Sequence, residues 1–530
     1  MKFRLISATL LICSFSFAQQ NPNAAEAALK FSEVLSQVDR MYVDDVNADK
    51  LTNTAIVALL EELDPHSTFI SKEEVDDANE RINGNFVGIG IRFQILKDTL
   101  MVVQTIPGGP SEKIGLLAGD KIVMIEDENV AGIGLKNAQV REKLLGDKGT
   151  KVSVEVKRKN KTKTLNFTIT RDVIPVNSVD AAYMLSSETG YIKLNAFSRS
   201  THDEVLASLS KLKQAGMKNL IFDLQGNGGG LLYEAKYLAD EFLSGNKLIV
   251  YSEGRAQPRA DLNSETLGQF ESGRLVLLTD EYSASASEIL SGAVQDWDRG
   301  LVVGRRTYGK GLVQRPIDLS DGSQIRLTIA RYYTPSGRFI QKPYDDAEAY
   351  KKDLLSRYEN GEFMNVDSIK LPDSLKHTTL LKGRTVYSGG GIMPDYFVPL
   401  DTSEITDYFT AVIRGGHLNS FTLTYVDDNR KNIEKNYPDF ESYKEKFVVD
   451  QKLLDELFSY IAAEDPELKF NEEEFAVSES LLKLRIKALI AQDLWSYEEF
   501  FEIYNASNEI LQRALQIIES DEYDKAGLAG

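Results

Sequence analysis

Apolar residues recur at i, i+3 and i+4 over 24–42 and again over 48–63, the spacing of two amphipathic helices. Asp64-Pro65-His66-Ser67 ends the second run. At Gly84 the period changes, and as far as Arg171 short apolar runs alternate with glycine-bearing turns. Strands are expected over 100–106 and 121–125, with a turn at Pro107-Gly108-Gly109-Pro110 between them. A hairpin follows in which Val152, Val154 and Val156 alternate, Asn160 turns, and Leu165, Phe167 and Ile169 alternate back. Residues 175–400 read as strand and helix in turn: strand 190–196, helix 201–214, strand 219–224, helix 231–243, strand 275–279, a helix ending near Trp297, and strand 301–304. The unbroken apolar runs among these suit a sheet covered on both faces. The remainder has helical spacing over 449–462, 472–493 and 497–519, and is expected to fray from Asp521. The pattern predicts an α+β multidomain protein: a helical N-terminal segment (19–83), a β-domain (84–171), an α/β core (172–400) and a helical C-terminal extension (401–530).

Composition narrows the function classes. A chain of 530 residues exceeds a single core, so about two to four domains are expected. The net charge of -19 argues against nucleic acid as a partner, because phosphate binding needs a basic face. Met1-Lys2-Phe3-Arg4, the apolar stretch 5–17 and the small residues Ser16 and Ala18 have the form of a signal peptide (1–18) cleaved near Ala18, which implies export to the periplasm or cell envelope. The one cysteine, Cys13, lies inside that segment, so the mature protein is expected to have neither a disulfide nor a thiol nucleophile. His66 is one of four histidines and has no His or Cys at ligand spacing, so no metal and no cofactor are expected.

The candidate chemistry lies between 275 and 315. A Ser/Ala cluster, Ser283-Ala284-Ser285-Ala286-Ser287-Glu288, opens a helix, and Lys310 follows between Gly309 and Gly311. A helix start offers free N–H groups and a positive dipole end for an oxyanion, and a buried lysine can be neutral enough to serve as a base. The layout is that of a Ser/Lys hydrolase. Ser285 and Glu288 also have the spacing of a capping box, which is purely structural. The turn Gln225-Gly226-Asn227-Gly228-Gly229-Gly230 lacks the lysine and hydroxyl of a P-loop, and bare amides there suit an acyl oxyanion better than a phosphate.

The β-domain resembles a PDZ domain in its Gly88-Ile89-Gly90-Ile91 loop, its 111–125 run and Gly149-Thr150. Such a loop captures the C-terminus of a polypeptide: backbone amides hold the carboxylate while the peptide adds a strand to the sheet edge. The protein as a whole, over about 30–400, resembles the carboxyl-terminal processing peptidases, or tail-specific proteases. The motifs are Leu63-Asp64-Pro65-His66-Ser67, the PDZ segment, 223–230, 283–288, Val303-Gly304, 307–311 with Gln314, 334–337 and 391–395. The resemblance implies a crotonase/Clp-like α/β protease core that acts on the C-termini of unfolded or tail-exposed proteins. It implies Ser285 as nucleophile, Lys310 as general base with Gln314 one helix-like turn later orienting it, and an oxyanion hole from Ala286 with Gly229 and Gly230. Gly228 stands where the family often has proline, and Asp296 is expected to be structural. A His/Asp/Ser protease would need a G-x-S-G turn and an upstream His–Asp pair, both missing here. A crotonase-type acyl-CoA enzyme has no use for the Ser/Lys pair or a PDZ module, and a non-catalytic peptide-binding protein on this scaffold would bind without turnover. A homo-oligomer and an adaptor protein stay open as further partners.

Overall fold

Two sheets meet around the serine cluster. The computed structural model describes residues 22–159 and 161–528, so the expected signal peptide and the turn at Asn160 lie outside the described residues. One sheet runs Val179–Met184, Thr189–Leu194, Asn219–Asp223, Leu275–Thr279, Leu301–Gly304, Tyr396–Phe397, its first pair antiparallel and the others parallel. Every residue of Leu275–Thr279 is buried, as expected of a central strand covered on both faces. Helices Thr201–Gln214, Leu232–Phe242 and Ala286–Asp296 cover one face with a core that includes Leu209, Leu238 and Leu290. The other face is closed by helix Glu509–Ile518, whose Leu511, Ala514 and Ile517 pack on Ile221, Val276 and Leu278.

The second sheet is antiparallel: Thr68–Ile70, Gln324–Tyr333, Leu248–Gly254 and Gln257–Asn263, with Leu312–Asp318 also paired to Gln324–Tyr333. The N-terminal segment is therefore not wholly helical. Helices Pro22–Met41, Ala48–Glu61 and Val75–Asn83 are present, but just past the Asp64–Ser67 break the backbone supplies an edge strand to this sheet. Helix Pro22–Met41 leaves Leu29, Phe31 and Val34 exposed.

The β-domain is a sheet in the order Ile91–Leu96, Thr99–Thr105, Lys121–Ile125, Lys151–Lys157, Leu165–Thr170, with Glu128–Asn129 beside Lys121–Ile125. Val152, Val154 and Val156 point into its core while Lys151 and Ser153 face water, the alternation read from the sequence. Strands Asn85–Gly88 and Asp172–Pro175 pair with each other and form its neck. In the C-terminal region the periodicity over 497–519 conceals two helices, Tyr497–Tyr504 and Glu509–Ile518, separated by a short 3-10 turn, Asn505–Ser507. The fraying expected from Asp521 does not occur over the described residues. Helix Glu522–Lys525 forms, and Tyr523 is buried with its hydroxyl accepting from the Leu275 amide at 3.0 Å.

Candidate active site

The turn after strand Leu275–Thr279 is fixed from behind. Asp280 Oδ1 accepts the amides of Tyr282 and Ser283, each at 3.0 Å, and both carboxylate oxygens accept the Gly226 amide. The three serines of the cluster then divide. Ser283 donates to the Leu224 carbonyl (2.8 Å) and Ser287 to the Asn227 carbonyl (2.9 Å), which ties the cluster to the glycine turn. The Ser285 hydroxyl makes no capping hydrogen bond, and the Glu288 amide donates instead to the Ser285 carbonyl at 2.9 Å. The backbone of Ser285 is at φ 56, ψ −111, a conformation that costs a non-glycine residue roughly 1–3 kcal/mol. Strain of this kind persists only where the surroundings impose it.

The glycine turn presses on that strained residue. A Cβ on Gly229 would lie 2.6 Å from the Ala284 oxygen, 2.8 Å from the Ser285 Cβ and 2.9 Å from the Ala286 nitrogen. With φ at +96 as well, only glycine fits. The Gly229 amide donates to Asn227 Oδ1 at 2.8 Å, so one of the two expected oxyanion glycines has its N–H engaged. Gly230 sits on Phe197, where a Cβ would come within 2.1 Å of the carbonyl oxygen.

Glu288 is fully buried and does more than cap its helix. One carboxylate oxygen accepts the amides of both Ser285 and Lys310, each at 2.8 Å. The other accepts the Gly309 amide (2.7 Å) and the Thr307 hydroxyl (2.5 Å). Burial pushes its pKa up while these donors hold it down. The hydroxyl of buried Tyr332 lies within hydrogen-bond reach of both the Ser285 carbonyl (3.2 Å) and that of Lys310, so its single proton is shared between the two segments that Glu288 also joins. Lys310 is depressed from the ordinary lysine range by burial and, to a lesser degree, by Arg326, while Glu288 and Asp64 push it up.

Gln314 is placed differently from expectation. It lies not one helical turn beyond Lys310 but on strand Leu312–Asp318, next to an irregularity in register, and its Nε2 donates to Thr328 Oγ1 at 3.2 Å. Asp296 is buried against Arg338 at 2.5 Å and accepts from Ser336. In the β-domain, Ile89 is buried with its carbonyl accepting the Ser111 amide (3.1 Å) and hydroxyl (2.6 Å). Gly90 has φ +73, and Ile91 opens the outermost strand of the sheet. Nothing in the sequence pointed to Tyr332, Thr328 or Arg326. Glu288 was visible only as half of a capping box.

The fold and this site define a serine-type peptidase with a PDZ domain. Residues 188–347 match peptidase family S41, 87–169 match the PDZ domain, and 408–496 match a family of unknown function. The protein is 34% identical over 342 residues to the carboxy-terminal-processing protease of Bartonella bacilliformis, covering 63% of this chain and 78% of that one. A CtpA-like serine protease of Staphylococcus epidermidis is 34% identical over 313 residues, covering 59% of this chain and 62% of that one. Among solved structures, the photosystem II D1 C-terminal processing protease matches at 29% identity and TM-score 0.33, covering 58% of this chain and 89% of that one. The protein belongs to the carboxy-terminal-processing proteases of family S41.

Proposed function

We propose that this protein is an exported serine endopeptidase that captures the free C-terminus of a substrate with its PDZ domain and cleaves that substrate through Ser285 and Lys310. The export reading rests on the N-terminal sequence, and among the described residues no helix is long and apolar enough to cross a membrane. Neutral Lys310 takes the Ser285 proton as Oγ attacks the scissile carbonyl, the protonated lysine then supplies the leaving amine, and water releases the acyl group with the lysine again as base. Gln314 steadies the lysine. The Ala286 amide, at the start of a helix, and the Gly230 amide receive the oxyanion, since the Gly229 N–H is given to Asn227. The observation that carries this reading is the buried Glu288 oxygen shared by the Ser285 and Lys310 amides, with Ser285 held in a strained conformation.

Tail capture would use the amides of Gly88, Ile89, Gly90 and Ile91, with the peptide adding to strand Ile91–Leu96 at the edge that pairs with no other strand among the described residues. The test is cleavage of an unstructured peptide with a free or an amidated C-terminus by wild type, Ser285→Ala and Ser283→Ala. We expect no turnover by Ser285→Ala and slower cleavage of the amidated peptide by wild type. An active Ser285→Ala would refute the nucleophile, and equal rates on the two peptides would refute tail capture.

A further inference from the structure

A run of side-chain hydrogen bonds connects the N-terminal turn at 64–67 to Gln314, and the Asp64 charge is close enough to act on Lys310. Asp64, 8% exposed, accepts through Oδ1 from the His66 amide (2.8 Å), the Ser67 amide (2.9 Å) and the Thr328 hydroxyl (3.1 Å). Its Oδ2 accepts the Ser67 hydroxyl at 2.7 Å, and Ser67 Oγ accepts the Thr328 amide at 3.1 Å. A hydroxyl has one proton to give. Thr328 gives its proton to Asp64, so toward Gln314 it can only accept, and Gln314 Nε2 donates to it at 3.2 Å. That direction turns the Gln314 NH2 toward Thr328 and leaves the carbonyl oxygen as the amide's free end.

The free end matters to a lysine that must act as a base. A carbonyl oxygen accepts an N–H from the lysine and leaves the nitrogen lone pair available. An NH2 would donate into that lone pair and compete with the serine proton. We propose that Asp64 and Thr328 are positioning residues of the peptidase reaction: acting through Gln314, they set its amide so that it accepts from Lys310 and leaves the lysine lone pair for Ser285. This rests on the Ser285/Lys310/Gln314 reading above.

The charges facing Lys310 come from three directions. Glu288 approaches from the serine helix, Arg326 from strand Gln324–Tyr333 and Asp64 from the N-terminal turn. Arg326 is itself anchored to the Ala78 carbonyl and Asn79 Oδ1. His66 shares the neighbourhood, and burial, with the nearby Lys310 charge, lowers its pKa to about 4. It is thus neutral at working pH, with Nε2 2.7 Å from the Tyr350 hydroxyl.

The experiment compares Thr328→Val, Thr328→Ala, Thr328→Ser and Asp64→Asn with wild type in kcat, KM and the pH profile of kcat, on an unstructured peptide with a free C-terminus. Thr328→Val lets the amide turn over. We expect about a tenfold fall in kcat, roughly one hydrogen bond, with KM within about twofold. The acid limb should move to lower pH, because an NH2 donor favours the neutral amine. Thr328→Ser should restore both. Asp64→Asn should move the limb the same way, but it also removes a charge that holds the lysine pKa up, so Thr328→Ala, which removes the hydroxyl without that charge, carries the test if the valine variant does not fold. The proposal is overturned if Thr328→Val keeps wild-type kcat, loses activity with an unmoved acid limb, or is matched by Thr328→Ser. Ser285→Ala and Lys310→Ala run alongside: activity in either refutes the Ser/Lys reading itself, independently of the relay.

Discussion

A lysine serves as a base only in its neutral form, and Lys310 is pushed toward that form chiefly by burial. Lowering its pKa widens the range over which the amine is free, so the peptidase rate should rise with pH through the depressed lysine pKa and fall away below it. His66, titrating near 4, adds no inflection between pH 5 and 8. Lys310→Arg stays protonated throughout and should be as inactive as Lys310→Ala. Cleavage rates from pH 5 to 10 check this, and an arginine variant keeping about a tenth of wild-type rate would mean that another group serves Ser285. At this scale the sequence was readable where chemistry is local. The serine cluster and the glycine-flanked lysine are each a few residues long, so both could be picked out. Glu288 could not be read fully, because the amides of Gly309 and Lys310 that it accepts come from across a helix and a strand. Gln314 was misplaced for a related reason: a spacing of four residues suggests a helical turn, but pairing with Gln324–Tyr333 makes this segment a strand.

Among the elements, the glycine turn and the serine helix work as one unit. Asn227 takes the Ala284 amide (3.0 Å) and the Ser287 hydroxyl on its carbonyl, and its side chain donates to Leu194, so the turn is built against both sheet and helix. This close fit separates the glycines sharply. Gly229→Ala places a methyl 2.6 Å from a carbonyl oxygen in a backbone conformation that alanine avoids. It should destabilise by roughly 1–3 kcal/mol or more and abolish cleavage. Gly228→Ala meets nothing within 4 Å and should keep activity within about twofold of wild type. Thermal melts and peptide cleavage on the two variants decide the matter, and an active Gly229→Ala would show that the turn can move away from Ser285. Element boundaries were less readable than element types. The helical pattern over 497–519 carried straight across Asn505–Ser507, because the residues on both sides keep an apolar face inward. Yet Asn505 is buried and donates to the Tyr183 hydroxyl at 2.7 Å, and Asn508 caps the next helix.

At the scale of the whole molecule, the C-terminal helices join parts that otherwise meet mainly through the neck. On one side Glu509–Ile518 completes the core of the protease sheet. On the other, Leu423 packs with Leu96, Met101 and Val103 on the PDZ sheet, Gln94 Nε2 donates to Ser420, and Gln104 Nε2 donates to the Trp495 carbonyl. Periodicity showed that this region is helical, but not what it covers, because an apolar helix face does not name its partner. Among the ion pairs of this contact, Arg92 to Asp493 at 3.1 Å is partly shielded from water, with side chains 24% and 12% exposed. Burial raises Asp493 to about 6, against the pull of Arg92 and Arg430. A carboxyl raised in the folded state contributes stability that is present at low pH and lost as pH rises through about 6, so Asp493→Asn should remove that dependence. Arg92→Asp sets two carboxylates against each other in the contact and should destabilise it by roughly 1–3 kcal/mol, while the exchanged pair Arg92→Asp with Asp493→Arg should recover part of the loss. Hydrogen exchange over strand Ile91–Leu96 and the helices at 417–436 and 472–494 reports the docking directly. The single variant should exchange faster in all three segments and the exchanged pair more slowly than the single. If the single variant leaves exchange unchanged, the ion pair contributes nothing to the joint, and the apolar contact around Leu423 holds the PDZ domain in place by itself.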